Sequence, residues 1–325
     1  MKKILLTHRI PDECVSPLQK EFEIVMPADK AAFSTRELEE QIVDASALVV
    51  VNCDARRPLL EKAGPAFQAA GTISVGYDSI DWAYCTEQGY AVVNTPTSLT
   101  HATSEIAIGL MLSAMRNITR LDRELRKTLT WTTDSFFPKG TVSPNGKTLG
   151  VIGFGRIGKC VAQKMKTFGM NIQYFDVVRA SAQIEAEYEA KFVSLEDLLK
   201  TSDVVTLHCP YSNQFHHMMN EKTFALMKPD AYFINAARGK LVDEQALIAA
   251  LKSHVIAGAG IDVYENEPYP IPELAQLENL VMTPHIGSMA YEVRVQMGLE
   301  CLNGIAGVLR GGIPYNVVNR EVLQK

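Results

Sequence analysis

The sequence predicts an α/β protein made of two open, parallel-sheet domains with a cleft between them. Three observations predict it. Short β-rich apolar runs alternate with amphipathic helical patterns along nearly the whole chain. A glycine-rich turn, "GFGRIG", arrives only almost halfway along. Turn- and cap-rich breaks fall at two places, and 325 residues are enough for two cores.

Before the glycines, "ILLT", "EIVM", "ALVVV", "TIS" and "AVVN" read as strands; after them, "IQYF", "VVTLH", "YFINA", "AGAGID" and "LVMTPH" do. The first break, "NTPTSLTHATSE" (Asn94 to Glu105), opens the apolar helix "IAIGLMLSAM". The second, "TPHIGS" (Thr283 to Ser288), closes the last strand. These breaks place residues 1–98 and 287–325 in one discontinuous domain, to which the C-terminal helix returns, and residues 99–286 in another. The stretch from Thr128 to Thr148, "TLTWTTDSFFPKGTVSPNGKT", has no period and carries two Pro-Gly-type punctuations. A loop of that length is functional or packed on a partner.

Composition removes several classes. Hydrophobic content of 47% and charged content of 21% are ordinary for a soluble enzyme, and a net charge of −5 with no basic block argues against nucleic acid. The opening "MKKILLTHRIPDE" has too short an apolar run for a signal-peptide core, and no later run approaches a membrane span. Six scattered cysteines (Cys14, Cys53, Cys85, Cys160, Cys209, Cys301) without a C-x-x-C pair read as reduced thiols in a cytoplasmic protein.

The glycine motif gains meaning from its context. "TLGVI" reads as a buried strand, Ile157, Val161, Met165 and Phe168 follow at helical spacing, and "NIQYFD" reads as a second strand ending in Asp176. Gly153 permits the tight turn, Gly155 lets a pyrophosphate approach the backbone, and Gly158 lets helix and strand pack closely. The helix N-terminus supplies N–H groups for the phosphates. Asp176, eighteen residues past Gly158, is placed to accept hydrogen bonds from both hydroxyls of an adenosine ribose. This is a Rossmann-type dinucleotide unit, and the carboxylate favours NAD(H) over NADP(H), with Arg179 nearby as a countervailing charge.

Reduction of a 2-keto acid by such a cofactor would need a carboxylate clamp and a proton donor. Arginine suits the clamp through its planar fork. Histidine suits the donor, and a neighbouring carboxylate favours its imidazolium. "FINAARGKLVDEQAL" places Arg238 after a strand, "GIDVYENEP" places Asp262 at a strand end with Glu267 beyond it, and "LVMTPHIG" places His285 at the last strand end. His216 and His217 sit in a polar segment, and His8, His101, His208 and His254 have no nearby carboxylate in a plausible site. No spacing suggests a metal.

"GFGRIGK", "NAARGKLVDEQAL", "GIDVYENEP" and "TPHIG", in that order, resemble the D-isomer-specific 2-hydroxyacid dehydrogenase family, and the likeness covers essentially the whole chain. The resemblance implies a discontinuous, flavodoxin-like substrate domain around an inserted Rossmann domain, which accounts for the late glycines. It implies that Arg238 holds the substrate carboxylate and carbonyl, that His285 is the general acid/base, and that Glu267 pairs with His285. Val75 and Gly76, in "ISVGYDSID", would bind the substrate carboxylate through backbone N–H groups. Gly153, Gly155, Arg156, Ile157, Gly158, Asp176, Thr103, Cys209, Pro210, Ala236, Asp262 and Gly287 would line NAD, with Asp262 on the nicotinamide carboxamide.

Within the family, "THRIP", "SVGYD" and Trp131 look closest to glyoxylate/hydroxypyruvate reductases. Some members of that branch carry W-x-x-W, whose second Trp reaches the neighbouring subunit. Here "WTTD" puts Asp134 in that place, with Phe136 or Phe137 as candidates for the role. Those members also often use NADP, with a basic residue where this chain has Asp176. The resemblance implies a homodimer embraced by the 128–148 arm. D-lactate, 3-phosphoglycerate or another 2-hydroxy acid is the alternative substrate, and a corepressor-like NAD(H) sensor is the non-enzymatic alternative. A Lys/Arg cluster for a phosphorylated substrate is absent. An L-specific lactate or malate dehydrogenase is disfavoured, because such chains open with the glycine motif.

Overall fold

The computed structural model describes residues 1–131 and 140–324. The arm positions Asp134, Phe136 and Phe137 therefore lie outside the described residues. The chain divides into two compact units, Met1–Leu99 with Ser288–Lys325, and Thr100–Gly287.

The first unit is a five-stranded parallel sheet. Its strands are β1 (Lys2–Leu6), β2 (Phe22–Val25), β3 (Ala47–Val50), β4 (Ala69–Thr72) and β5 (Ala91–Val93), in the order β2-β1-β3-β4-β5. This is the flavodoxin-like order. All four residues of β3, "ALVV", are buried, as a parallel strand covered on both faces requires.

The sequence run "TIS" (Thr72 to Ser74) is only the tail of a strand that starts three residues earlier, at Ala69. The cause is packing. A Cβ on Gly71 would lie 2.9 Å from the Cys301 sulfur and 3.1 Å from Ile305, so the unit's long C-terminal helix lies flush on a strand of small residues.

The second unit is a seven-stranded parallel sheet: β6 (Thr148–Ile152), β7 (Asn171–Phe175), β8 (Ala190–Phe192), β9 (Val204–Leu207), β10 (Tyr232–Asn235), β11 (Gly258–Ile261) and β12 (Leu280–Met282). The order is β12-β11-β10-β9-β6-β7-β8, so the strand sequence reverses between β6 and β9. Apolar layers cover both faces. Leu198, Phe224, Phe233 and Leu247 form one, and Met111, Val161, Met165 and Tyr174 the other.

Four helices of this unit matter for the site. Helix α1 (Thr100–Arg116) packs on β11, where a Cβ on Gly260 would meet the Leu110 side chain at 2.9 Å. Helix α2 (Ile118–Thr128) follows and buries none of its residues. Helix α3 (Arg156–Thr167) leaves the glycine turn, and helix α4 (Glu244–Lys252) follows β10.

Candidate active site

The carboxyl ends of the seven strands carry the candidate residues, and the β6/β9 reversal is the topological switch point at which open sheets bind ligands. Gly153, directly after β6, has a left-handed φ of 91°, and a Cβ there would lie 2.5 Å from the backbone nitrogen of Cys209 after β9. Only glycine meets both demands. A Cβ on Gly158 would collide with the carbonyl oxygen of Gly153, so α3 packs directly on the turn. Gly155 is exposed with open space around it, and α3 begins without a side-chain cap. Its first N–H groups are thus available to an anion.

The Phe154 N–H in this turn donates to Asp176 Oδ2 at 2.7 Å, which ties the end of β7 to the glycines. Arg179 is directed elsewhere. Its guanidinium makes two hydrogen bonds to Glu185, at 2.8 and 2.9 Å, and lies over the Phe192 ring. Cys209 and Pro210 follow β9, and buried Ala236 follows β10. Burial, with the Asp176 charge, pushes the Cys209 thiol up to about 11, so it lines the turn as a neutral group. These residues fit a dinucleotide: an open backbone at a helix N-terminus, a carboxylate at the next strand end, and neutral walls.

Arg238 follows β10. The last residue of that strand, Asn235, accepts the Ala237 N–H at 3.0 Å and donates from Nδ2 to the Arg238 carbonyl at 3.0 Å, fixing the turn. Gly239 lies flush on the backbone of Tyr264 and Glu265, where a Cβ would not fit. This brings the Arg238 turn against the loop after β11.

Asp262, at the end of β11, is fully buried. Its Oδ1 accepts the Thr283 hydroxyl at 2.6 Å and the Ile286 N–H at 2.8 Å, and its Oδ2 accepts the Gly287 N–H at 2.8 Å. A carboxylate has about four acceptor sites, so one is left for an amide such as a carboxamide. Thr103 completes this corner: a Cβ on Gly287 would lie 3.3 Å from both Asp262 Oδ2 and the Thr103 methyl.

His285, after β12, stands with its Nδ1 at 2.6 Å from Glu267 Oε2. Its side chain is half exposed, while Glu267 is one-third exposed. Burial alone would raise the Glu267 carboxyl. The hydrogen bond and charge of His285, the Tyr264 N–H at 3.0 Å and the Arg238 charge together hold it below its ordinary value. The Glu267 carboxyl thus occupies Nδ1, and Nε2 is the nitrogen left for a substrate oxygen.

In the other unit, Val75 and Gly76 are half-buried in the loop after β4, and the Val75 carbonyl accepts Asn94 Nδ2 at 2.8 Å. Among the described residues no group of His, Cys, Asp and Glu could hold a metal ion, and no helix is long and apolar enough to cross a membrane.

The description "D-isomer specific 2-hydroxyacid dehydrogenase, NAD binding domain" fits residues 108–287. A glyoxylate reductase of Thermococcus litoralis is 40% identical over 328 residues, 99% of this chain and 98% of that one. The chain belongs to the D-isomer-specific 2-hydroxyacid dehydrogenase family. Two solved structures extend the likeness. A glyoxylate reductase from Paecilomyes thermophila matches with a TM-score of 0.89 and 31% identity, over 98% of this chain and 99% of that one. An NADPH-dependent glyoxylate/hydroxypyruvate reductase from Sinorhizobium meliloti, in complex with citrate, matches with a TM-score of 0.84 and 29% identity, over 98% of each chain.

As a member of this family the chain is a D-2-hydroxyacid dehydrogenase, an oxidoreductase with an NAD-binding domain. Four residues that hydrogen-bond around the candidate site carry little signal in the sequence. They are Asn235, Tyr264, Thr283 and Glu244. Tyr264 joins two segments, since its hydroxyl donates to the Thr283 carbonyl at 2.9 Å. Only Asn235 had a usable cue, a polar residue ending an apolar strand.

Proposed function

We propose that this chain uses NADH to reduce glyoxylate to glycolate or hydroxypyruvate to D-glycerate. The observation that carries this reading is the assembly of Arg238, Glu267 and His285 on three adjacent strand ends, with the 2.6 Å contact between His285 and Glu267. NADH, when bound, supplies the hydride. Arg238 clamps the substrate carboxylate with its planar fork. His285, with a proton on each ring nitrogen, delivers the one on Nε2 to the carbonyl oxygen as the hydride arrives, and Glu267 accepts the Nδ1–H bond and so orients the ring. Asp262 and Thr103 hold the carboxamide corner, and the Val75 and Gly76 backbone contributes to substrate binding.

NAD rather than NADP is supported by Asp176 at the end of β7 and by Arg179, which is committed to Glu185 and does not counter the carboxylate. The Sinorhizobium relative is NADPH-dependent, so cofactor choice varies within the fold. A cytoplasmic setting is supported by six free cysteines, four of them buried. A homodimer is supported by α2, where Ile118, Leu121 and Leu125, continued by Leu129, form one apolar stripe that is at least 46% exposed. Sedimentation of the parent and of Leu125→Asp tests this: the parent should run as a dimer and the variant should dissociate.

The test of function is NADH consumption over a panel of glyoxylate, hydroxypyruvate, pyruvate and 3-phosphohydroxypyruvate. The highest kcat/KM should fall on one of the first two. A preference for pyruvate or the phosphorylated acid would overturn the substrate assignment, and no turnover on any would overturn the reaction.

A further inference from the structure

One buried acid beside the site has no part in the chemistry above. Glu244 opens α4, six residues after Arg238, and is 3% exposed. Glutamate is seldom this buried without a partner. Its Oε1 accepts the Glu265 N–H at 2.9 Å, while Oε2 is sealed from solvent with no partner among the described residues. The helix does not need this side chain for capping, because Asp243 already caps α4 by accepting the Ala246 N–H at 3.0 Å.

Glu265 lies two residues before Glu267, in the short segment that leaves β11. One end of that segment is anchored through Asp262, and Tyr264 links it to Glu267 and to the Thr283 carbonyl. On its other side the segment rests on Gly239 of the Arg238 turn. We propose that Glu244 is a positioning residue: by taking the Glu265 N–H it sets the path that delivers Glu267 to His285, and it ties that path to the turn bearing Arg238. The inference rests on the acid–base reading of Glu267 and His285.

Burial pushes the Glu244 carboxyl up; the Glu265 N–H opposes this, and the charges of Glu265 and Glu267 reinforce it. Glutamine has the same shape as this side chain and keeps an acceptor oxygen. Glu244→Gln therefore keeps the acceptor for the Glu265 N–H, whereas Glu244→Ala removes it and leaves that N–H without this partner.

The experiment is a double-mutant cycle on keto-acid reduction, with melting temperature and NADH titration by fluorescence as controls. Glu244→Ala should lower kcat about 10- to 100-fold, with the keto-acid KM and the NADH Kd changed less than about 3-fold. Glu244→Gln should stay within about 3-fold of the parent. In the Glu267→Gln background, the loss from Glu244→Ala should shrink to less than about 3-fold, because its route of action is already cut. Should Glu244→Ala fail to fold, Glu244→Asp takes its place in the cycle, since it keeps the carboxyl but falls one methylene short. Equal losses in both backgrounds, or a Gln variant as poor as the Ala variant, would overturn the proposal. A parent without keto-acid reductase activity would instead overturn the functional reading beneath it.

Discussion

Replacing Asp176 by Asn asks how strongly one carboxylate selects the cofactor. Asp176 is half-buried at the end of β7, its Oδ2 held 2.7 Å from the Phe154 nitrogen. A dinucleotide ribose bonded to that carboxylate would set a 2′-phosphate about 4 Å from it, where two unit charges repel by roughly 4 kcal/mol at an effective dielectric constant near 20. Solvent and salt reduce this to about 1–3 kcal/mol, or roughly 5- to 150-fold in kcat/KM. Arg179 does not relieve the repulsion while both its hydrogen bonds go to Glu185. Asn keeps an acceptor for the Phe154 N–H, so the turn survives and only the charge is lost. The assay is kcat/KM for NADH and NADPH at one fixed keto acid, in the parent and in Asp176→Asn. NADH should lead in the parent and the gap should close in the variant. Parity or NADPH preference in the parent, or an unchanged ratio in the variant, would refute the reasoning.

Loss of the proton donor in His285→Ala should lower kcat by about 10²- to 10⁴-fold with NADH binding intact, and near-normal turnover would remove His285 from the mechanism. Gly153→Ala forces an L side chain to a φ of 91° and a Cβ to 2.5 Å from the Cys209 nitrogen. It should cost at least about 1–3 kcal/mol in denaturant unfolding and weaken NADH binding. His208 is half-buried with its Nδ1 sealed from solvent and without a partner among the described residues, and burial lowers it to about 3. Above its unfolded pKa of about 6.5 both states are neutral, and below it the unfolded chain takes a proton that the folded ring refuses. Stability should thus fall with falling pH across that window by at most about 1.4 kcal/mol per pH unit, and His208→Gln should flatten the slope in urea unfolding series between about pH 7 and about pH 5.

The sheets were legible because parallel strands covered on both faces must be written as unbroken apolar runs. "ALVV" and "VVTL" are buried at every position. The misses have the same cause in reverse. β4 is written mostly in alanine and glycine, because the helix Tyr291–Leu309 packs too closely for larger side chains, and small residues carry little strand signal. β8, "AKF", is an edge strand with Lys191 exposed, so neither run length nor alternation marks it.

The site divides along another line. Arg238, Asp262 and His285 were visible because each is a polar residue within three positions of the end of an apolar strand, where an open sheet presents its ligands, and Glu267 because it follows Asp262 in the same loop. What holds them was not visible, because its work is done on backbone groups that any residue possesses. Glu244 reads as an ordinary acid in the first turn of a helix, yet its carboxyl is turned inward to the Glu265 N–H. Asp262 reads as a cofactor ligand, yet its carboxylate first organises Thr283, Ile286 and Gly287 around His285. That organisation has a physical reason. His285 adopts a left-handed φ of 54°, a conformation unfavourable by roughly 1–2 kcal/mol for a residue with a Cβ. The Asp262 carbonyl accepts the His285 N–H at 2.9 Å while its carboxylate grips the residues on either side, so the bent backbone is held from both directions. The strained turn aims the imidazole at Glu267, and the buried carboxylate beneath it is what keeps the turn from relaxing.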